Sequence, residues 1–533
     1  MKDNLTYDAV IIGGGHNGLV CGAYLAKDGH KVLVLERREL LGGASVTEEL
    51  WPGYRVNTAA HMLGLMQPKI VLELELQKFG YDVIPVPPAV HLIEGTGPFV
   101  LWHDMDRLCR EFERFSVRDA QAYPKYQVHL AQVAPALRDL MWEIPFDPTD
   151  MRPANLTRMA GFAWRNRKAW TKFHDIADLM TMSAYDYLAR WFESEEVRII
   201  CGYYPAGAAG QSVSIHTPGT AYFLLRNYLR PDIKEAGGAG LARGGMGNIP
   251  QAIAKSGKRF GLETRVNAEV EDVLIHEGQA VGVRLKDNNI IRSKAVISNA
   301  AAQHLFADLV AHEAAPQAFR HEVQQIHGQA TTFKIHLAIE KPIPFEGLER
   351  AGYQHGNPVQ VTLAPSIHYM ERAYNQMHQR QLSERPYMTI QTPTLADPSL
   401  APAGKHLLSI YGGHVPYGEG VQDDQLREKV FETVLDTIST YAPKFNRQWI
   451  HRQILLSSDY ERIFRLPGGS PHHGDLSLDQ LFFRRPVRKF ADYTTPVKGL
   501  FLCGSSSHPG GGVSGVPGYN AARVVGRALK AKS

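Results

Sequence analysis

Residues 7–43, YDAVIIGGGHNGLVCGAYLAKDGHKVLVLERRELLGG, give the clearest indication of the fold. Its apolar run, Ala9 to Ile12, ends directly in glycines, as a buried parallel strand does before it turns into a helix. Gly13 permits the tight turn, Gly15 lets the backbone approach a pyrophosphate, and Gly18 lets the helix pack close to the strand. The pattern predicts a strand, a phosphate-binding turn and a helix.

The segments after this turn complete a dinucleotide fingerprint. A helix predicted over residues 17–27 directs its free N–H groups and its positive dipole end at the phosphate. A second apolar strand, 31–35, ends in Glu36, at the distance along the chain where an acid binds the ribose hydroxyls. A tight turn without a nucleotide is the alternative interpretation. Arg37 and Arg38 suggest a 2′-phosphate, but an acid at the strand end would repel it, which disfavours NADP.

Two further features favour FAD over NAD. Gly42 and Gly43 follow the acid, and residues 499–531 form an apolar strand, a glycine-rich loop and a helix in sequence. The N-terminus of such a helix suits phosphate, ribityl or the pyrimidine edge of a flavin. Because this helix is not followed by an acid-tipped strand, the segment completes one FAD site and does not build a second.

These motifs resemble those of the glutathione-reductase-2 type of flavoprotein, and within that type the phytoene desaturase and carotenoid ketolase group. Within the group, the likeness is greatest to flavoproteins named after a pyridine nucleotide-disulfide oxidoreductase domain. Paired cysteines that would support the word "disulfide" are not found beside the nucleotide motif. Beyond the fingerprint, the resemblance is carried by RGGMGNIPQAIA (243–254), KAVISNAAA (294–302), HHGDLSLDQLFFRRP (472–486) and HPGGG (508–512).

The resemblance implies an α/β fold, with a Rossmann-type FAD-binding domain of the glutathione-reductase-2 type and a discontinuous α+β substrate domain. The FAD-binding domain is expected to comprise residues 1–82, 242–310 and 488–533, and the substrate domain residues 83–241 and 311–487. A strand near Val266 is expected to pass the adenine. FAD is expected to contact Gly13, Gly15, Gly18, Glu36, Arg37, Gly43, Ala44, Val266, Gly504, Ser505, Gly515 and Val516.

The composition argues against a nucleic-acid-binding protein, a zinc or dithiol site and a membrane-spanning protein. The chain has 533 residues, 44% hydrophobic and 21% charged, with a net charge of +4, which is too weakly basic to indicate a nucleic-acid partner. Its four cysteines have no zinc or redox spacing. The N-terminal MKDNLTYD lacks an apolar signal core, and apolar runs stay short of a membrane span. We therefore expect a cytoplasmic protein of uncertain oligomeric state, with surface attachment to a membrane left open.

Residues 331–342, TTFKIHLAIEKP, supply the first candidate for chemistry. Strand alternation places Lys334 and His336 on one face and apolar residues on the other. Lys334 resembles the lysine that flavin amine oxidases hold near the flavin, where a cation would stabilise developing negative charge or activate dioxygen. The alternative is a solvent-facing strand. Phytoene desaturases generally lack this lysine, so the feature separates the chain from them.

Histidines supply the other candidates. His508 lies on the glycine-rich loop expected near the flavin ring, where an imidazole can donate a hydrogen bond or move a proton. Its alternative is a turn histidine that bonds the backbone. His61 is expected to line the substrate side of the flavin. His472 and His473 have no ligand-type residues at a supporting spacing, so we expect no metal.

One stretch has the composition of a membrane-surface segment. RMAGFAWRNRKAWTKF, residues 158–173, carries five basic residues and no acid, with Phe and Trp between them. Basic residues with aromatic anchors are typical of an interfacial helix on anionic lipid. The alternative is a solvated basic face with its aromatic rings packed into the protein.

Three functions follow, in order of preference. The first is an FAD-dependent oxidoreductase that transfers a hydride from a small lipophilic substrate of isoprenoid or carotenoid type, as a desaturase or isomerase. The second is an amine-oxidase-like oxidase of a small amine. The third is a partner-binding protein of the same fold without turnover, which the intact glycines and acid disfavour. A second nucleotide fingerprint is not found, so NADH and NADPH are expected to reduce the flavin poorly.

Overall fold

The computed structural model describes residues 6–203, 212–232, 239–418, 421 and 423–531. Within them the strands are β1 (Thr6–Ile12), β2 (Val32–Leu35), β3 (Glu48–Trp51), β4 (Tyr54–Val56), β5 (Val83–Ile84), β6 (Ala89–Ile93), β7 (Gly97–Leu101), β8 (Leu241–Ala242), β9 (Glu263–Arg265), β10 (Val270–His276), β11 (Gln279–Leu285), β12 (Ile290–Ser298), β13 (Thr332–Ile339), β14 (Gln360–Leu363), β15 (Tyr387–Gln391), β16 (His406–Gly413), β17 (His451–Leu456) and β18 (Leu500–Leu502).

The same residues form helices between the strands. The α-helices are α1 (His16–Lys27), α2 (Pro68–Glu73), α3 (Met105–Glu113), α4 (Val117–Met141), α5 (Pro153–Arg165), α6 (Arg167–Trp170), α7 (Phe173–Thr181), α8 (Ala184–Ala189), α9 (Glu195–Gly202), α10 (Asn248–Lys258), α11 (Ala302–His304), α12 (Gln317–Gln324), α13 (Ile367–His378), α14 (Asp423–Tyr441), α15 (Ser457–Phe464) and α16 (Val516–Lys530). A 3-10 helix spans Thr220–Tyr228. None of the described helices has the length and apolar sequence to span a bilayer.

The first sheet has the strand order β10-β11-β12-β1-β2-β9, with β18 beside β12. Strand β1 pairs in parallel with both β12 and β2, so it lies in the centre. Its side chains alternate between two cores: Ala9 and Ile11 pack under α1, α10 and α16, whereas Val10 and Ile12 pack on the opposite face. Burial on both faces explains why the run is continuously apolar. This is the predicted Rossmann-type architecture.

The second sheet has the order β17-β13-β16-β15-β14-β6-β7. It is antiparallel except where β14 pairs in parallel with β6. Side chains from its strands join helices α3, α4, α8, α9, α13 and α14 in the largest hydrophobic core. Strand β13 lies between β16 and β17, and all eight of its residues are buried. The prediction of a strand here is confirmed, and the solvent-facing alternative is wrong.

The two sheets draw on interleaved segments of the chain. Strands of the first come from 6–35, 263–298 and 500–502, and strands of the second from 89–101 and 332–456. The chain turns between β11 and β12 at Asn288, which has a φ of +66°. The exact domain boundaries stay a prediction.

Candidate active site and cofactor cavity

The glycine turn between β1 and α1 is held by close backbone contacts. Gly13 has a φ of +95°, a conformation that favours glycine, and its N–H donates to the Leu35 carbonyl at 2.8 Å. A Cβ on Gly18 would lie 2.4 Å from the Gly13 oxygen, and a Cβ on Gly15 would lie 2.6 Å from Nδ2 of Asn299. Gly13 is therefore required by its backbone conformation and Gly18 by space, whereas a side chain on Gly15 would displace the Asn299 amide. Helix α1 packs directly against the end of β1.

A cavity of about 450 Å³ opens where β1 and β2 end. The N-terminus of α1 faces this cavity, because Gly15, His16 and Asn17 line it. Gly15, the residue before α1, has no side chain to cap the helix, so the first N–H groups are left for a ligand. Oδ1 of Asn17 is buried at the cavity wall without a hydrogen-bond partner among the described residues. Seven of the predicted FAD contacts line the cavity: Gly13, Gly15, Glu36, Arg37, Gly43, Ala44 and Ser505.

Glu36 stands at the cavity wall with its carboxylate oriented by the backbone. Oε2 accepts the N–H of Gly14 at 2.8 Å, and Oε1 accepts that of Arg38 at 2.9 Å. The two neighbouring arginines bind protein groups, because the Arg37 guanidinium donates to the Ile463 carbonyl and Arg38 pairs with Glu48. At the end of β2, the Glu36 carboxylate is therefore better placed than either arginine to bind a ribose.

Five predicted contacts do not line the cavity. Val266 has 38% of its surface exposed, because the chain turns at Asn267, with φ of +50°, and Ala268 lines the cavity in its place. The Ala268 N–H donates to the Glu36 carbonyl at 2.9 Å, which fixes this edge. The other predicted residues outside the lining are Gly18, Gly504, Gly515 and Val516.

The C-terminal loop and helix α16 meet the N-terminal motif, as predicted. A Cβ on Gly518 would lie 2.1 Å from the Asn17 oxygen, so the first turns of α16 and α1 are in contact. Gly504 packs in the same way against the Asn299 carbonyl, with a Cβ separation of 2.4 Å. Gly515 precedes α16 with a φ of +78°. These glycines act by allowing close packing.

Lys334 lies in a buried cluster behind the cavity wall. Its Nζ donates to the carbonyl of Asn57 at 2.8 Å and to that of Ala59. The next residue, Ala60, donates its N–H to the carbonyl of Ala44, a cavity residue, at 2.9 Å. Burial lowers the pKa of Lys334 to about 7. One short backbone segment therefore links the ammonium to the cavity.

His61 and His336 complete this cluster. Burial lowers the pKa of His61 to about 3, and the neighbouring Lys334 contributes in the same direction. Burial likewise moves the pKa of His336 well below its usual range, with Lys334 and His61 adding to it. The His61 ring also contacts Tyr411, with 5.4 Å between ring centroids. Both imidazoles are neutral at pH 7, and His61 lies outside the cavity lining.

His508 has a structural environment. Its Nε2 is 2.9 Å from the Leu140 carbonyl, and its own carbonyl accepts the Tyr493 hydroxyl at 2.5 Å. Burial lowers its pKa to about 4, and the ring is not in the cavity wall. This arrangement fits the turn histidine better than the proton carrier. The described residues contain no cluster of three or more His, Cys, Asp or Glu side chains suited to a metal ion.

Several cavity residues were not anticipated from the sequence. His16, Asn17, Asn299, Arg465 and His473 line the cavity. Asn299 directly follows β12, the parallel neighbour of β1, and a polar residue at such a strand end was an available signal.

A buried cysteine contact was also missed. Cys21 of α1 and Cys503 after β18 are buried free thiols that are close enough to hydrogen bond. Because the two residues are far apart in the chain, the sequence showed no paired cysteines beside the nucleotide motif, whereas the fold brings these two thiols together there.

Relatives align over nearly the whole chain. Pyridine nucleotide-disulfide oxidoreductase domain-containing protein 2 of Mus musculus is 36% identical over 98% of this chain and 94% of its own. A limonene dehydrogenase polypeptide of Castellaniella defragrans is 26% identical, covering 97% and 94%. The lycopene-forming phytoene desaturase of Pseudescherichia vulneris is 21% identical, covering 95% and 96%. The predicted resemblance to phytoene desaturase-like proteins is confirmed.

Solved structures share the fold. An oxidoreductase from Methanosarcina mazei superposes with a TM-score of 0.63 at 18% identity, covering 98% of this chain and 99% of its own. Putrescine oxidase bound to putrescine gives 0.59 at 16% identity, covering 99% of both chains.

The donors around the cavity fit FAD. The uncapped helix N-terminus suits a pyrophosphate, the Glu36 carboxylate suits ribose hydroxyls, and glycine leaves the space that a Cβ would fill. Residues 18–525 match the family described as flavin containing amine oxidoreductase. The chain is thus an FAD-dependent oxidoreductase, as predicted, and it belongs to the flavin-containing amine oxidoreductase family.

Proposed function

We propose that this oxidoreductase acts on an apolar, uncharged substrate of isoprenoid type, which it desaturates or isomerises. The observation that carries the proposal is the charge of the cluster formed by Lys334, His61 and His336. The pKa shifts of these groups arise from burial and from one another, and carboxylates do not contribute to them. Among the described residues, the cluster therefore offers a protonated amine no compensating charge, whereas a hydrocarbon needs none.

Relatives support the same substrate class. The limonene dehydrogenase polypeptide and the phytoene desaturases are named for hydrocarbon substrates. Prolycopene isomerase of Daucus carota, 26% identical over 96% of this chain, is named for an isomerisation. These names describe the relatives, and we extend the substrate class to this chain as a proposal.

The chain's residues would position the substrate and keep the site dry. Bound FAD would supply the two-electron redox chemistry. Lys334 fixes the segment that leads to His61, because two of its N–H groups donate to backbone carbonyls there. His61 is neutral at pH 7 and therefore able to accept a hydrogen bond.

An amine oxidase is the second candidate, and the burial of Lys334 favours the half of that reaction in which dioxygen accepts the electrons. The ammonium has no exposed surface and lies one backbone segment from the cavity wall. A cation so placed would assist the reaction of reduced flavin with dioxygen, whatever the substrate. Lys334 therefore favours dioxygen as the electron acceptor. The lack of a carboxylate in the cluster separately disfavours a charged amine as the substrate.

The experiment is an anaerobic comparison of the two substrate classes. Purified protein with bound FAD is mixed with phytoene or limonene in detergent micelles, and in parallel with putrescine or cyclohexylamine. We expect a hydrocarbon to bleach the flavin absorbance or, for an isomerase, to yield a rearranged product on chromatography. Amines should do neither. Bleaching by an amine, with both hydrocarbons unchanged, would replace this proposal with the amine oxidase.

A further inference from the structure

Three large aromatic side chains project from the short helices α5 to α7. Trp164 has 71% of its surface exposed, Trp170 61% and Phe173 52%. The rings of Trp170 and Phe173 stack on each other, with 5.9 Å between their centroids. Isolated exposed apolar residues are ordinary, but three such rings within ten residues form a concentrated apolar patch.

Helix α5 has its apolar stripe on the side that faces solvent. Leu156, Ala160 and Trp164 are spaced by four residues, so they share one face, and all three are exposed. Phe162 points the other way and packs against Phe146, with 5.3 Å between ring centroids. A surface helix of a soluble protein normally has the opposite arrangement. The outward stripe therefore needs a partner.

The same stretch is basic. Residues 158–173 carry five positive side chains and no acid. Arg158 donates to the Pro145 carbonyl, and Arg167 donates to the Trp164 carbonyl while lying 4.7 Å from the centre of that ring. The bond of Arg167 to a neutral acceptor leaves its positive charge in place. Arg158 instead lies on the Phe162 side of α5, in a cavity that Asp147 and Asp150 also line. Two of the five pair with acids outside the stretch, Arg165 with Glu143 and Lys172 with Asp175.

We propose that this aromatic-basic face, residues 156–173, docks on the surface of an anionic lipid bilayer. The indole rings of Trp164 and Trp170 suit the boundary between head groups and acyl chains, and the basic residues suit anionic head groups. The predicted alternative, with the rings packed into the protein, does not hold for Trp164, Trp170 and Phe173, because they are exposed.

The docked face connects to the cofactor region through the helical layer. Helix α7 packs on the 3-10 helix Thr220–Tyr228, and the Arg226 guanidinium of that helix lies beside Gly512. The Gly512 carbonyl is 3.2 Å from Nε2 of His16, a cavity residue. A substrate dissolved in the bilayer would thus be delivered near this layer, although the docking proposal itself does not depend on the substrate class.

The test is co-sedimentation of the FAD-loaded protein with two kinds of vesicle. We expect sedimentation with phosphatidylcholine–phosphatidylserine vesicles, release by high salt, and little binding to phosphatidylcholine alone. The triple variant Trp164→Ser, Trp170→Ser, Phe173→Ser should bind at least about tenfold more weakly. A second variant, Arg167→Gln with Lys172→Gln, removes charge without replacing the rings and should lose selectivity for phosphatidylserine.

The matched control replaces exposed apolar residues elsewhere. Val128→Ser with Ile290→Ser changes side chains that are 56% and 50% exposed and should bind vesicles as the wild type does. Retained flavin absorbance reports folding of each variant. Unchanged binding by both test variants, or equal binding to both vesicle types, overturns the proposal. A wild-type protein that does not bind vesicles also overturns the proposal. If that protein forms dimers and the triple variant does not, the face joins two copies of the chain instead.

Discussion

At the scale of single residues, Lys334 stands out because it is a lysine with no exposed surface. Burial disfavours its charged form and lowers its pKa from 10.5 to about 7. At neutral pH the ammonium and the neutral amine are thus both populated. Two carbonyl acceptors hold the amine in place in either state, because each form retains N–H donors.

This shift predicts a pH dependence of stability. The unfolded chain keeps its proton up to about pH 10, whereas the folded chain loses it above about pH 7, so the unfolded state binds more protons in this window. The free energy of unfolding contributed by Lys334 should therefore rise with pH, by up to about 1.4 kcal/mol per pH unit. The measurement is the thermal midpoint of wild type and Lys334→Met across the window.

The difference between the two proteins isolates this one group. Wild type should gain stability relative to Lys334→Met as the pH rises. Lys341→Met is the matched control, because this exposed lysine lies just beyond the end of β13. Parallel pH profiles for wild type and Lys334→Met would mean that Lys334 titrates as an ordinary exposed lysine.

Gly15 is the residue on which cofactor binding should depend most sharply. A side chain there would collide with Asn299, 2.6 Å from its Nδ2, and would enter the cavity at the start of α1. We expect Gly15→Val to abolish FAD binding, measured as flavin absorbance per chain, while wild type carries about one FAD per chain because it has one fingerprint. Gly64→Val is the control, since a Cβ at Gly64 meets nothing within 4 Å. Full flavin content in Gly15→Val would contradict the placement of the pyrophosphate.

At the scale of elements, one buried arginine organises the segment before the C-terminal strand. Nε and Nη2 of Arg485 donate to the Ser505 carbonyl at 3.0 and 2.8 Å, and Nη1 donates to the carbonyls of Asp475 and Gln480 at 2.9 and 3.1 Å. Ser505 lines the cavity, so this guanidinium ties the cavity wall to the segment that precedes it. Burial lowers its pKa to about 10, which still leaves it charged at neutral pH.

Replacing Arg485 should lower the free energy of unfolding. Arg485→Met leaves several buried carbonyls without donors, and we expect a loss of about 3–5 kcal/mol in the free energy of unfolding. Its exposed neighbour Arg484 donates through Nε to the Asp479 carbonyl at 2.8 Å, so Arg484→Met should cost less than about 0.5 kcal/mol. Urea denaturation of both variants gives the comparison. Equal midpoints would show that the carbonyls find other partners.

The same elements show where sequence reasoning succeeds. The first βαβ unit and β13 were predicted because their periodicity and glycines are local signals. The burial of Lys334 was not decided, because alternation identifies two strand faces but not which face is covered. Val266 was placed at the adenine, whereas the turn at Asn267 brings Ala268 to the cavity wall. The role of Arg485 depends on carbonyls 5 to 20 residues away and left no local pattern.

Across the whole molecule, the number of nucleotide-binding sites indicates whether a nicotinamide dinucleotide can exchange electrons with the flavin. A second βαβ unit would be expected for a nicotinamide dinucleotide used in turnover. Gly412 and Gly413 lie inside β16, where they pack against Tyr387, so they do not open a helix. Residues 244–247 precede α10, but the strand before them, β8, pairs with β5 outside the first sheet. A third glycine-rich stretch, 237–240, begins outside the described residues.

Within the described residues, β1–α1–β2 is therefore the single unit with strand, glycine turn, helix and acid in order, and FAD fits it. We expect NADH and NADPH to reduce the bound flavin poorly, because neither has a site of its own. Electrons would instead pass to dioxygen, a quinone or a second carbon of the substrate. The measurement is anaerobic stopped-flow mixing of the FAD-loaded protein with excess NADH or NADPH, followed by flavin absorbance, with dithionite as the control that full reduction is visible. Rapid bleaching that saturates with either nucleotide would reveal a binding site formed without a glycine fingerprint, and the enzyme would then be a reductase.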